Sequence, residues 1–217
     1  MIIKQETRTY RLTGITELLG SNPANPEIHS KYVAAKADSV EQAALEEAML
    51  PGPELDEKIK EIKQQGLTVF LRGNHGELVI SQHVIRGFFK SVFTGLKDQF
   101  NVANAKGKID NLVFVSPRFI PILDGHHEIQ KEPDGYCERS LRADTMQGPR
   151  VALQSSEQVI PPWQMEFSIT LIDNSGTGKS DPVTWEKIEG ALSYGEKKGL
   201  GQWRNGGYGT FVWERVE

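Results

Sequence analysis

The sequence has a single cysteine, Cys137, in 217 residues. One thiol excludes an intrachain disulfide and a thiolate-rich zinc site. No apolar run approaches the roughly 20 residues that span a bilayer. Positive charge is not in excess either: the net charge is −4 at pH 7. A protein that coats nucleic acid through bulk charge is thereby excluded, and any such contact must come from a local basic patch. The opening residues, Met1-Ile-Ile-Lys-Gln-Glu-Thr, read as neither a signal nor a transit peptide. A soluble, cytoplasmic protein with no membrane partner is expected. What is present is a core: 38% apolar residues with four Trp and nine Phe rule out wholesale disorder. The length fits one domain over 1–217, with insertions.

Residues 6–14, with Tyr10 and Leu12 on one face, predict a first strand. A Gly-, Asn- and Pro-rich loop follows over 18–26. Residues 39–65 read as a helical insertion: Ser39 with Gln42 forms a capping box, and Pro51-Gly-Pro53 splits two helices. Leu67–Leu71 is a short strand and Arg72–Glu77 a turn. From Ser81 the period changes. Val84, Ile85, Phe88, Phe89, Val92, Phe93, Leu96 and Phe100 recur at three and four residues, which predicts a helix over 81–100. Arg86 and Lys90 share one side of it. Gly87 costs about 1 kcal/mol in a helix interior, so packing or a close approach is expected there.

Leu112–Val115 suits a buried strand. Residues 117–149 lose periodicity and read as one long loop. His126 and His127 are adjacent and Cys137 is ten residues on, a poor spacing for metal ligands, so no metal is expected. Arg150–Ile160 is extended, and Pro161-Pro162 turns it. Trp163, Met165, Phe167, Ile169 and Leu171 then alternate with polar residues, a strand with one buried face. These two segments are expected to pair as a hairpin. Asn174–Ser180 has the look of a phosphate-binding loop, but Asp173 stands where the pattern needs a glycine. It reads as a turn, and no nucleotide cofactor is expected. Asp181 and Pro182 open a helix over 182–195 whose buried face is Trp185, Ile188, Ala191 and Leu192.

The densest chemistry lies at Gly199–Gly209. Gly199, Gly201, Gly206, Gly207 and Gly209 surround Trp203, Arg204, Asn205 and Tyr208, with Lys197 and Lys198 just upstream. A plain turn needs one or two glycines. Five, with two aromatics and three cations, suggest a backbone shaped for a ligand. Glycine N–H groups in a turn can form an anion nest, and the aromatics can stack bases. Without the insertions the element order is βαββαβ. That predicts an α+β, ferredoxin-like (RRM-like) core with two helices on one face of a four-stranded antiparallel sheet, plus an extra hairpin.

At these residues the chain resembles the RAMP superfamily, the RNA-binding subunits of CRISPR complexes. That family has a hydrophobic-Gly-Ser loop after an early strand, here Leu19-Gly-Ser21. It has a segment opening the first helix, here Ile80–Lys90. Its C-terminal glycine-rich loop has the form G-hydrophobic-G-x-x-R-x-x-G-hydrophobic-G, here Gly199–Gly209. Ile80-Ser-Gln-His83 departs from the usual Pro-Gly-Ser-Ser. The resemblance implies single-stranded RNA held by its backbone, with Arg86 and Lys90 extending the track from the glycine-rich loop, and other protein subunits as partners. Some relatives cut RNA; His29, His83 and Asp38 are the residues to check as a general base. No motif singles one out, so no catalysis is expected. The alternative is a non-catalytic structural protein of phage or mobile-element origin that keeps the fold and binds itself or another protein.

Overall fold

The alternation at residues 164–172 builds the centre of a sheet. Six elements form the core: β1 (Gln5–Gly14), α1 (Gln82–Gly95), β2 (Val113–Ser116), β3 (Gln164–Ile172), α2 (Trp185–Ser193) and β4 (Phe211–Val216). The computed structural model describes residues 4–24, 67–145, 148–173 and 182–216. The strands lie in the order β4-β1-β3-β2, all antiparallel, with Tyr10 opposite Phe167 and Arg215. Order 4-1-3-2 with a helix after the first and third strands is the ferredoxin-like α+β arrangement. The 39–65 insertion lies outside the described residues, as do His29, Asp38 and the 174–180 turn.

Period-2 patterning puts Tyr10, Leu12, Val113, Val115, Met165, Phe167, Ile169, Leu171 and Phe211 on one buried face. The apolar stripe of α1 fills it with Ile85, Phe88, Phe89, Val92 and Phe93, and α2 adds Ile188, Ala191 and Leu192. Each large side chain removed from water contributes about 1.5–3 kcal/mol. A polar group enters this core with its partner. Tyr10, fully buried, donates its hydroxyl to Glu189 on α2 at 2.9 Å, and Arg8 donates to the same oxygen at 2.8 Å. Burial, and then the Glu189 carboxylate, push the Tyr10 phenol pKa up. Tyr10→Phe is expected to cost about 1 kcal/mol, read from the urea midpoint, because Glu189 keeps Arg8.

The chain divides into two compact units. The core belongs to the first, made of Met1–Leu19, Leu71–Asp134 and Gln158–Glu217; the second is Gly20–Phe70 with Gly135–Glu157. In the second, Leu67–Val69 pairs in parallel with the long strand Gly148–Val159 and antiparallel with Asn22–Pro23. Among its buried polar groups, the Thr68 and Ser156 hydroxyls lie 2.6 Å apart, and Glu157 accepts the Phe70 N–H at 2.8 Å.

Several expectations are corrected. Residues 117–149 are not one loop: they hold strands Phe119–Pro121 and Gly135–Thr145 and the start of Gly148–Val159. The extended 150–160 segment does not form a hairpin with β3. Gly148–Val159 pairs with Gly135–Thr145, while β3 is already bonded on both edges, to β1 and β2. The first helix ends at Gly95, and the second starts at Trp185, where the Thr184 hydroxyl accepts the Lys187 N–H, not at Pro182. A helix at Ala105–Leu112, unforeseen, precedes β2. The segment ahead of α1 is a fully buried strand, Leu78–Ser81, paired with Leu71–Arg72 and Phe119–Pro121. Gly87 has open space where a Cβ would sit, so packing inside the described residues does not account for it.

Candidate nucleic-acid interface

After α2, a single helical turn, Gly195–Lys198, carries both lysines and stops at Gly199. The stretch then closes on itself. The Leu200 N–H donates to the Gly209 carbonyl at 2.8 Å. Gly199 and Gly209 have φ of 68° and 70°, and a Cβ on them would lie 2.2 Å from the Tyr208 oxygen and 2.1 Å from the Leu200 oxygen. No other residue fits either position, since both the dihedral and the space forbid a side chain. This closure puts Lys198 one residue from the point where the Tyr208 backbone returns.

The tip between these ends presents the aromatics. Trp203 sits at φ 52°, ahead of a short 3₁₀ turn, Arg204–Gly206. Its ring stacks on Tyr208 with centroids 5.0 Å apart and planes 17° from parallel. Gly206 lies so close that a Cβ would be 2.8 Å from the indole. Trp203 remains 39% exposed. A bulky residue in the left-handed region is strained, at a cost of order 1–3 kcal/mol.

The amides tell a different story from the nest expected of the glycines. The N–H groups of Gly199, Leu200, Gln202, Gly206, Gly207 and Gly209 all donate to protein carbonyls. These six amides are therefore occupied and do not form an anion nest. Among the described residues, no carboxylate is ion-paired to Lys197, Lys198 or Arg204, and Asn205 is exposed beside them.

Arg86 and Lys90 form a separate group. Both reach Asp110, at 2.9 and 2.6 Å, and Arg86 also donates to the Asp110 carbonyl at 2.7 Å. The Asp110 helix leads into β2 and the glycine-rich stretch into β4, the two edges of the sheet, about 14 Å apart at the usual strand spacing. The hydrogen bond from Lys90 holds the Asp110 carboxyl below the usual carboxylate range. The pair is thus fully formed above the ordinary carboxylate pKa and lost only as pH falls through the lowered value. A side-chain NMR titration of Asp110 is expected to give a midpoint below that of an unperturbed aspartate.

The sheet face away from the helices carries Thr7, Thr9, Arg11 and Thr13 on β1 and Gln164, Glu166, Ser168 and Thr170 on β3. Its hydroxyls pair across the strands, Thr7 with Thr170 at 2.8 Å and Thr9 with Ser168 at 2.9 Å. Arg11 is held by Glu166 and Glu214 at 3.1 and 2.9 Å. RRM sheets bind RNA through aromatics on their central strands. Here those strands carry none on that face and the carboxylates outnumber the cation, so that mode of binding does not apply.

Of the remaining candidates, His83 is exposed in the first turn of α1, its Nδ1 2.8 Å from the Ser81 hydroxyl. His126 and His127 belong to a turn in which Asp124 accepts the N–H of His126 at 2.8 Å and of Glu128 at 2.9 Å. Sequence reasoning missed Thr16. Its hydroxyl donates to the Gly207 carbonyl at 2.9 Å and accepts the Thr210 N–H at 3.0 Å.

No family model and no curated protein matches the chain. Among solved structures, one chain of the cryo-EM structure of the Type III-B Cmr-beta bound to cognate target RNA is similar, with 13% identity and a TM-score of 0.45. The match covers 99% of this chain and 61% of that one, so this chain spans about three fifths of its length. The fold assignment rests on the strand order and register. Among the described residues no helix is long and apolar enough to cross a membrane.

Proposed function

We propose that this protein is an RNA-backbone-binding, RAMP-like subunit of a CRISPR-type ribonucleoprotein complex, and that it holds single-stranded RNA at Gly199–Gly209. The observation that carries the reading is Trp203, left-handed at φ 52° yet 39% exposed. A tryptophan recovers strain by burial; one that is both strained and exposed points to a task at the surface. Lys197, Lys198 and Arg204 take phosphate oxygens, and an unpaired base stacks on the Trp203–Tyr208 pair. Every base has a π face, so the contact is sequence-tolerant. Because the two rings stack on each other, they act as one platform, with no slot between them. Neighbouring protein subunits continue the RNA track, and no chemistry is done on it.

The test is binding of a labelled single-stranded oligonucleotide across a salt series. Three phosphate contacts predict a slope of log K against log salt of about −2. Replacing Lys197, Lys198 and Arg204 together by Ala should flatten it. Absence of binding at low salt removes the RNA reading and favours the protein-binding alternative.

A further inference from the structure

The platform is held by the turn after β1, and we infer that Thr16 is the residue that positions it. This rests on the reading of Trp203–Tyr208 as an RNA site. A threonine hydroxyl has one hydrogen to give and two lone pairs. Thr16 Oγ1 gives its hydrogen to the Gly207 carbonyl at 2.9 Å, accepts the Thr210 N–H at 3.0 Å, and lies 2.9 Å from Thr210 Oγ1. With its own hydrogen committed to Gly207, it accepts from the Thr210 hydroxyl, and its capacity is filled. The anchored carbonyl belongs to Gly207, at φ 86°, directly before Tyr208. Thr16 therefore fixes the peptide that aims the Tyr208 ring, and through the stack the Trp203 indole.

Neighbouring bonds set off the role of this side chain. The Glu17 carbonyl accepts the Gly209 N–H at 2.7 Å and the Leu19 carbonyl accepts the Gln202 N–H at 3.3 Å. Those are backbone bonds that any side chain at 17 or 19 preserves. The Thr16 carbonyl is held by Trp163 Nε1 at 2.8 Å, which locks the residue while leaving its hydroxyl to the loop. Of the segment 16–19, only position 16 reaches the tip through a side-chain bond among the described residues. Losing it frees the aromatic pair without touching Lys197 or Lys198.

The test uses the full chain labelled with 5-fluorotryptophan, the Trp203 ¹⁹F signal being the one lost in Trp203→Phe. Thr16→Val keeps the shape and removes the hydroxyl; Thr16→Ser keeps the hydroxyl. Thr16→Val is expected to shift or broaden the Trp203 signal while Trp185 and Trp213 stay in place. It should weaken oligoadenylate binding about tenfold, the order of one lost stacking contact, at an unchanged salt slope. Thr16→Ser should restore both. An unmoved Trp203 signal in Thr16→Val overturns the inference, as does a Thr16→Ser variant that behaves like Thr16→Val. If Trp203 responds as expected but the parent chain binds no RNA, the RNA reading fails and the positioning role stands. Should Thr16→Val not fold, Thr210→Ala, which removes one of the hydroxyl's three partners, is expected to move the same signal less; no movement overturns the inference.

Discussion

Gly209→Ala is expected to destabilise the protein by about 2–5 kcal/mol and to abolish binding at the loop. Two costs combine. An L-residue in the left-handed region costs about 1–2 kcal/mol, and forcing a methyl into filled space costs a further 1–3 kcal/mol. The filled space is the Leu200 carbonyl oxygen, 2.1 Å from where the Cβ would be. That carbonyl is backbone and cannot swing away. Relief must come from breaking the Leu200–Gly209 hydrogen bond that closes the loop just before β4. Gly207→Ala is the internal control: φ is 86° but nothing lies within 4 Å of the added carbon. It should carry the dihedral cost alone. Urea unfolding of both variants separates the two contributions, and equal losses would show that loop closure has no steric requirement at Gly209.

Trp203→Ala is expected to weaken single-stranded RNA binding by about 1–3 kcal/mol, roughly 5- to 150-fold, at an unchanged salt slope. The slope counts phosphate contacts, and the proposed ones are to Lys197, Lys198 and Arg204. The effect on stability should be small, because the indole is already 39% exposed, and the left-handed strain is unchanged since alanine keeps the Cβ. This sets the platform apart from a core aromatic. A buried tryptophan cut to alanine loses about 3–5 kcal/mol of folding free energy. Fluorescence anisotropy for binding and a urea melt for stability, on the same variant, decide between the two roles. A large loss of stability with RNA affinity intact would make Trp203 a packing residue.

What could be read from the sequence follows from the range of the interactions that encode it. β1, β3 and α1 carry their own period, two or 3.6, over nine or more residues, and burial of one face fixed them. The βαββαβ order followed, and with it the sheet. Strand partners are not written locally. The 150–160 segment is next in sequence to β3, yet both edges of β3 are taken by strands far away along the chain, so the shortest connection misled. Residues 117–149 hide strands because their apolar pairs are short and broken by Gly, Pro and Asp. The helix Ala105–Leu112 buries only Ile109, too little for a visible stripe. At the glycine-rich stretch, positive φ at Gly199, Gly201, Gly207 and Gly209 agrees with their residue type, but the partners of its amides, among them the carbonyls of residues 17 and 19, are not written locally. Arg86 and Lys90 share a helix side as their spacing requires, but Asp110, which holds both, is 20 or more residues on. Thr16 had no signal at all: a lone threonine in a turn gains its meaning only from what stands opposite.

Photocrosslinking tests most directly whether RNA lies on Trp203 and Tyr208. A single-stranded RNA carrying 5-bromouracil bonds to aromatic rings it stacks on when irradiated, and mass spectrometry locates the modified residue. The crosslink is expected on Trp203 or Tyr208 and should disappear when both are replaced by leucine. A crosslink on the open sheet face, for instance at Phe114, or none at a concentration where binding is saturated, would contradict the assignment of the RNA site to the glycine-rich loop.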